Sequence, residues 1–344
     1  MSDVSLLCDN HVIVKNGSLI TDESSIEFLF EVAPPFEDTV HICKWNGPAT
    51  QNCSHLFTPI ITDEGVCFSF NMLPTVELFR GQGIPYFEDN GHRTEGWTLE
   101  DDADYYCKGP VQGFRVLLHN PAEVPSVGER YLRAPLSQEI VASIQPKIMT
   151  TSKGLRSYSS KTRQCYFPSE RYLAHFKVYT QRNCELECLT NYTLKKCDCV
   201  GLHMPRNKSV KICGGGSKQC MLDANESSYK RTKQETCDCL PACTSIQYDA
   251  ETSQAEFEAE KVFRSYNDNL TEIAGSKMAR VSVFFKDMQF TTSRRSELFG
   301  IVDFLANCGG LLGLFCGVSL LSLVEIIYYV TLRLWGNMKH TKKE

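Results

Sequence analysis

Ten cysteines fall between residues 165 and 243 of this 344-residue chain: Cys165, Cys184, Cys188, Cys197, Cys199, Cys213, Cys220, Cys237, Cys239 and Cys243. Thiols at this density either pair as disulfides in an oxidising compartment or hold zinc in a reducing one. A zinc reading expects Cys-x2-Cys knuckles, and the only imidazoles near are His203 and, upstream, His175. The N-x-S/T sequons of Asn191, Asn207 and Asn225 are interleaved with the block, which favours disulfides in an oxidising lumen. Spacing leaves the connectivity open. On helices, Cys184 and Cys188 would share a face, as would Cys239 and Cys243, so each pair could cross-link a neighbour at two successive turns. Cys197/Cys199 and Cys237/Cys239 are too close within each pair for easy internal bridging.

A second constellation lies near the C-terminus. Gly309, Gly313 and Gly317 recur at every fourth position, a ridge that lets helices approach closely; a generic helix-dimer face is the plainer use of it. Gly317-Val318-Ser319 sits within an apolar run, where a helix break would free backbone carbonyls able to replace an ion's hydration shell. Glu325 follows eight residues later between apolar neighbours. A carboxylate there marks an ion pathway or sits at the cytoplasmic interface. The acidic run Glu100-Asp101-Asp102-Ala103-Asp104 could bind a cation or titrate, but a solvated charged loop is the preferred reading. No G-x-S-x-G, P-loop or H-E-x-x-H occurs, so nothing supports an enzyme. A net charge of −5 gives no reason to expect a nucleic-acid partner.

These groups need elements to hold them. Phe304–Val324 carries no charge for 21 residues and is bracketed by Asp303 and Glu325, long enough to span a bilayer. The alternative, a buried helix of a soluble core, seldom runs this long without charge. Upstream lie six sequons, at Asn16, Asn52, Asn191, Asn207, Asn225 and Asn269, and 15 of the 17 cysteines; downstream lie Arg333, Lys339, Lys342 and Lys343. The expected topology is therefore ectodomain outside and tail inside, at the plasma membrane. The first residues, MSDVSLLCDN, form no signal peptide, which leads us to expect a missing upstream membrane segment. Residues 1–160 read as β and loop, with apolar runs at 65–70 and 114–119 between turn signals. Residues 252–267 read as a charged amphipathic helix with Phe257 and Phe263 inward, and 280–286 as a strand aimed at the membrane. We find no internal repeat.

The run Ala306-Asn307-Cys308-Gly309-Gly310-Leu311-Leu312-Gly313-Leu314-Phe315-Cys316-Gly317-Val318-Ser319, followed by Leu-Leu-Ser-Leu-Val-Glu325, closely resembles the second transmembrane segment of the degenerin/epithelial sodium channel family. Gly317, Val318 and Ser319 match that family's G-x-S selectivity filter, and Ala306 its degenerin position, where bulky side chains hold such channels open. Cys43…Cys53-Ser-His-Leu-Phe…Gly65-Val-Cys67-Phe-Ser-Phe-Asn71 is similar to the finger region, and the ten-cysteine block with Met204-Pro205 to the thumb. The run from Gly113 to Pro121 and the filter flanks are most like the arthropod pickpocket branch.

The resemblance implies an α+β fold: a disulfide-rich ectodomain followed by one C-terminal transmembrane helix. Its parts would be finger and palm at 1–160, thumb at 161–251, a helix and palm strand at 252–298, pore helix at 299–335 and cytoplasmic tail at 336–344. By matching order it implies the pairs Cys165–Cys243, Cys184–Cys239, Cys188–Cys237, Cys197–Cys220, Cys199–Cys213 and Cys43–Cys53. It further implies a sodium-selective, amiloride-sensitive channel, gated by a ligand or by mechanical load, assembled as a homo- or heterotrimer of related subunits, with Na+ as permeant ion and no cofactor. The family has a first membrane span and first palm strand that this chain does not show. Cys67 is thereby left without its usual mate, and Cys8 and Cys107 match no family position. Two other functions fit part of the pattern: a non-conducting accessory or dominant-negative subunit, and a single-pass disulfide-rich receptor ectodomain. The gating stimulus is not legible.

Overall fold

The computed structural model describes residues 2–14, 16–45, 53–80, 105–109, 111–128, 130–232, 237–265, 277–317, 319–333 and 335. The acidic run at 100–104, Val318, Asn52 and Asn269 lie outside the described residues. The chain divides into two compact units, Met1–Thr150 with Ser160–Ser293, and Thr151–Ser159 with Arg294–Glu344.

In the larger unit, helix α1 (Ser24–Val32) buries Ile26 and Leu29. Strands β1 (Phe57–Thr62) and β2 (Gly65–Phe70) form an antiparallel hairpin in register from Phe57↔Phe70 to Thr62↔Gly65. Gly65 closes its turn at φ +113°, a left-handed value that glycine adopts without a Cβ clash. Asp63, in that turn, accepts hydrogen bonds from the Val127 and Gly128 amides (3.2 and 3.3 Å). Aromatic rings line the hairpin, with Phe36 against Phe57 and Phe68, and Trp45 against Phe70. Ile60 and Ile61 are fully buried and join Leu78, Phe79, Phe176, Tyr179 and Leu202 in the main core.

Strand β3 (Gln138–Thr151) has Ile140, Ala142, Ile144 and Pro146 buried in alternation, the period of a half-buried strand. It pairs antiparallel with β4 (Ser245–Glu256) and parallel with β5 (Arg280–Phe285). The helix expected over 252–267 is therefore corrected: 252–256 belong to β4, and among the described residues of this stretch helix covers Ala259–Ser265. Ladder hydrogen bonds to β3 along the whole of β4 outweigh the local helical pattern. The strand expected at 280–286 corresponds to β5.

Two helices carry four of the ten cysteines of the block: α2 (Gln181–Cys197) has Cys184, Cys188 and Cys197, and α3 (Lys218–Thr232) has Cys220. Thr180 caps α2 by accepting from the Asn183 amide, and Asp198 ends it in the left-handed region at φ 57°. Cys184 and Cys188 sit one turn apart on α2. Cys239 and Cys243, expected to share a helical face, instead lie in non-helical backbone, with Ala242 bridging Tyr166 and the Cys243 amide donating to Tyr166 O.

Candidate pore segment

The larger unit is fastened covalently. Seven disulfides form among the described residues: Cys8–Cys107, Cys43–Cys53, Cys165–Cys243, Cys184–Cys239, Cys188–Cys237, Cys197–Cys220 and Cys199–Cys213. Cys8–Cys107 joins two cysteines for which the sequence had offered no mates. Cys67, Cys308 and Cys316 carry free thiols. Burial raises the pKa of Cys67, which works against its thiolate.

Buried polar groups that spacing did not single out add further anchors. The Glu187 carboxylate accepts from the Ala174 and His175 amides (2.9 and 2.8 Å). Asn183, fully buried, accepts from the Val124 amide and donates to Ala122 O. The Lys218 ammonium donates to the carbonyls of Ser5, Cys8 and Asp9 at 2.7, 2.9 and 2.9 Å, and burial lowers its pKa. Asp3 accepts from Gly215 N, Thr21 Oγ1 and Ser25 Oγ. Burial pushes the Asp3 carboxyl up, but these hydrogen bonds together hold it below its usual range. No periodicity or motif marks such residues, because their partners are backbone groups distant in sequence.

In the smaller unit, helix α4 (Ile301–Cys316) starts at Gly300, whose amide donates to Asp303 Oδ2 at 3.0 Å. It carries Ala306, Gly309 and Gly313, which their spacing of three and four residues sets on one face. A Cβ built at Gly309 would meet nothing within 4 Å, so the glycine groove is open within the chain. Where one transmembrane helix is expected, the described residues form two helices. Gly317 ends α4 at φ +64°, its amide reaching back to the Gly313 and Leu312 carbonyls, and helix α5 (Leu320–Ile327) then begins. Glycine favours the left-handed stop at Gly317, because other residues meet a Cβ clash there. Among the described residues no single helix is long and apolar enough to cross a membrane; Ile301–Cys316 and Leu320–Arg333, bent by 85°, together meet that test by length and composition.

Ser319 is the N-cap of α5. Its Oγ accepts from the Ser322 amide (3.2 Å), while its own amide donates to Ser322 Oγ (3.4 Å), a reciprocal cap legible afterwards as Ser-x-x-Ser but not singled out from the sequence. Glu325 is exposed on α5, and a π-helical turn, Tyr328–Arg333, follows, with the Arg333 guanidinium over the Tyr329 ring. The break thus brings together the end of one helix and the capped start of another. Ending α4 at Gly317 leaves its last carbonyls without intrahelical donors, and a helix C-terminus carries partial negative charge. Such an end favours a cation. Along α4 and α5 no side chain is buried, although Phe304, Leu305, Leu314, Phe315, Leu320 and Leu321 are all large and apolar. Surfaces of this kind are covered by lipid or by other chains.

Of the six sequons, Asn16, Asn191, Asn207 and Asn225 are described, and all four asparagines are exposed.

Comparison with known proteins gives the chain's family. The family signature described as "Amiloride-sensitive sodium channel" matches residues 6–329. Pickpocket protein 28 of Drosophila melanogaster is 31% identical over 351 residues, covering 89% of this chain and 58% of that protein. Pickpocket protein 11 of the same fly is 28% identical (92% of this chain, 60% of that one). Acid-sensing ion channel 2 of Rattus norvegicus is 25% identical (89% and 59%). The chain thus spans about three fifths of the length of these relatives. With a match running from residue 6 through the glycine break to residue 329, the chain belongs to the amiloride-sensitive sodium channel family.

Proposed function

We propose that this chain is a subunit of a sodium-selective, amiloride-sensitive cation channel of the plasma membrane. The observation that carries this reading is the left-handed stop at Gly317, which interrupts the chain's long apolar run beside Ser319, in a segment whose side chains are uncovered. Three copies or related subunits would pack α4 through the groove of Ala306, Gly309 and Gly313 and bring the ends at Gly317 around one axis. There the carbonyls before Val318, together with the negative helix ends, replace the hydration shell of Na+. Ser319 and Ser322 hold the break, Ala306 lies at the gate, and Glu325 faces the pathway on the cytoplasmic side. The permeant ion is the only small species the mechanism needs. The disulfide-braced region 161–251 acts as thumb, 1–160 as finger and palm, and 252–298 as the return to the membrane, with glycans on the outward asparagines. A rigid, cross-linked lever is what conversion of an extracellular stimulus into pore movement requires.

Expressed with related subunits, the Ala306→Val chain is expected to give a constitutive inward sodium current that amiloride blocks. Absence of any such current in every combination would overturn the conducting role.

A further inference from the structure

One contact in the smaller unit has no part in the proposed filter. The segment Thr151–Ser159 belongs to the same compact unit as the chain that leads into α4, although the whole cysteine block lies between them in sequence. Among the hydrogen bonds that join the segments, the Ser152 amide donates to Arg295 O at 2.8 Å, and Ser152 Oγ donates to Glu297 Oε2 at 3.3 Å. Ser152 is nearly buried and starts the tight turn Lys153–Ser157. Within that turn Gly154 has no side chain where the Glu297 carboxylate lies. A Cβ there would overlap both carboxylate oxygens and their carbon. Glu297 itself is three residues before Gly300, the cap of α4.

We propose that Glu297, seated against Gly154 and bonded to Ser152, is a positioning residue that ties the start of the pore helix to the 151–159 turn. Residue 159 lies six positions before Cys165, which pairs with Cys243. A displacement of the cross-linked block is therefore passed through a short stretch of chain to the turn, and from there, through the Glu297 carboxylate and the Ser152–Arg295 backbone hydrogen bond, to the head of α4. Glycine at 154 is part of the device, because a methyl group there occupies the carboxylate's place. The tie itself rests on the geometry alone; its consequence for gating rests on the channel reading above.

Hydrogen exchange on the full chain in detergent, read by mass spectrometry, tests it. In Gly154→Ala, amides of 298–303 are expected to exchange about tenfold faster, the loss of one charge-assisted hydrogen bond, while those of 181–197 stay as in the parent. Adding Glu297→Asp, which retracts the carboxylate by one methylene, is expected to restore protection; a merely structural disturbance would not be rescued this way. Ser152→Ala, with the turn intact, is expected to give a smaller increase in the same peptide, and serves if Gly154→Ala loosens the whole chain. Unchanged exchange at 298–303 in both single variants, or no rescue by Glu297→Asp, would overturn the tie. In subunit combinations that conduct, Gly154→Ala and Glu297→Ala are expected to change the current in the same direction, and the double variant no further than either alone. Additive effects would refute its role in gating. A chain that shows the exchange pattern but conducts in no combination would keep the tie and lose the channel reading.

Discussion

The cysteine-rich region and the pore segment solve the problem of holding residues in place in opposite ways. Around α2 and α3, five disulfides and buried groups such as Glu187 and Asn183 fix the backbone from within the chain. Along α4 and α5 no side chain is buried, and the cysteines there, Cys308 and Cys316, are free thiols. Order in the first is covalent and self-contained; order in the second depends on what surrounds it. In the proposed function the first is a lever, which must resist deformation, and the second a gate, which must have two arrangements close in free energy.

The comparison can be broken most directly at the bridges. Cys165–Cys243 encloses Cys184–Cys239, so with the inner bridge intact it closes only the stretches 165–184 and 239–243, and its entropic contribution is about 3 kcal/mol, as is that of Cys199–Cys213. Replacing both cysteines of either pair by alanine is expected to lower the melting temperature of the glycosylated chain by similar amounts. No shift for either pair, or a far larger one for one of them, would mean that loop closure is not what these bridges supply. Next, Lys218→Met keeps the volume but leaves three carbonyls without their donor, and is expected to cost about 2–3 kcal/mol in chemical denaturation. A near-neutral result would show that water replaces the ammonium.

In the pore segment the expected effects on stability are smaller and those on function larger. Gly317→Ala places a Cβ in the left-handed region at a cost of about 1–2 kcal/mol. It should leave the melting of the disulfide-braced region unchanged while altering ion selectivity. The smallest effect is a pH dependence at Asp3. Its folded pKa is depressed, so its stabilising contribution is present above the ordinary carboxylate range and is lost as pH falls through the lower folded value. Asp3→Asn should flatten the acid limb of a stability–pH curve by lowering stability at neutral pH while leaving the strongly acid end nearly unaffected. An acid limb identical in both chains would exclude Asp3 as a contributor.

What was legible in the sequence follows the same contrast. The cysteine count, the apolar run and the glycine spacing are local patterns, and they led to the bridged region and to the pore segment. The break inside the run was legible as Gly317 beside Ser319, yet a single helix was expected, because apolarity continues on both sides and periodicity does not register one left-handed residue. Strand β4 was misread at 252–256 because Thr-Ser-Gln-Ala-Glu carries no apolar alternation; its partner β3, over 100 residues away in sequence, decides its conformation. Lys218, Asp3, Glu187 and the Glu297–Gly154 contact were invisible for a related reason. Each depends on backbone brought near by the fold, and none has a spacing that the sequence can display.

The central claim is that Gly317–Ser319 forms the ion-selective constriction. The most direct measurement is the reversal potential of the Ala306→Val channel under bi-ionic sodium and potassium, with and without Gly317→Ala. The account predicts a clear sodium preference in the first and its loss or marked reduction in the second. A current whose sodium preference is untouched by Gly317→Ala would contradict it.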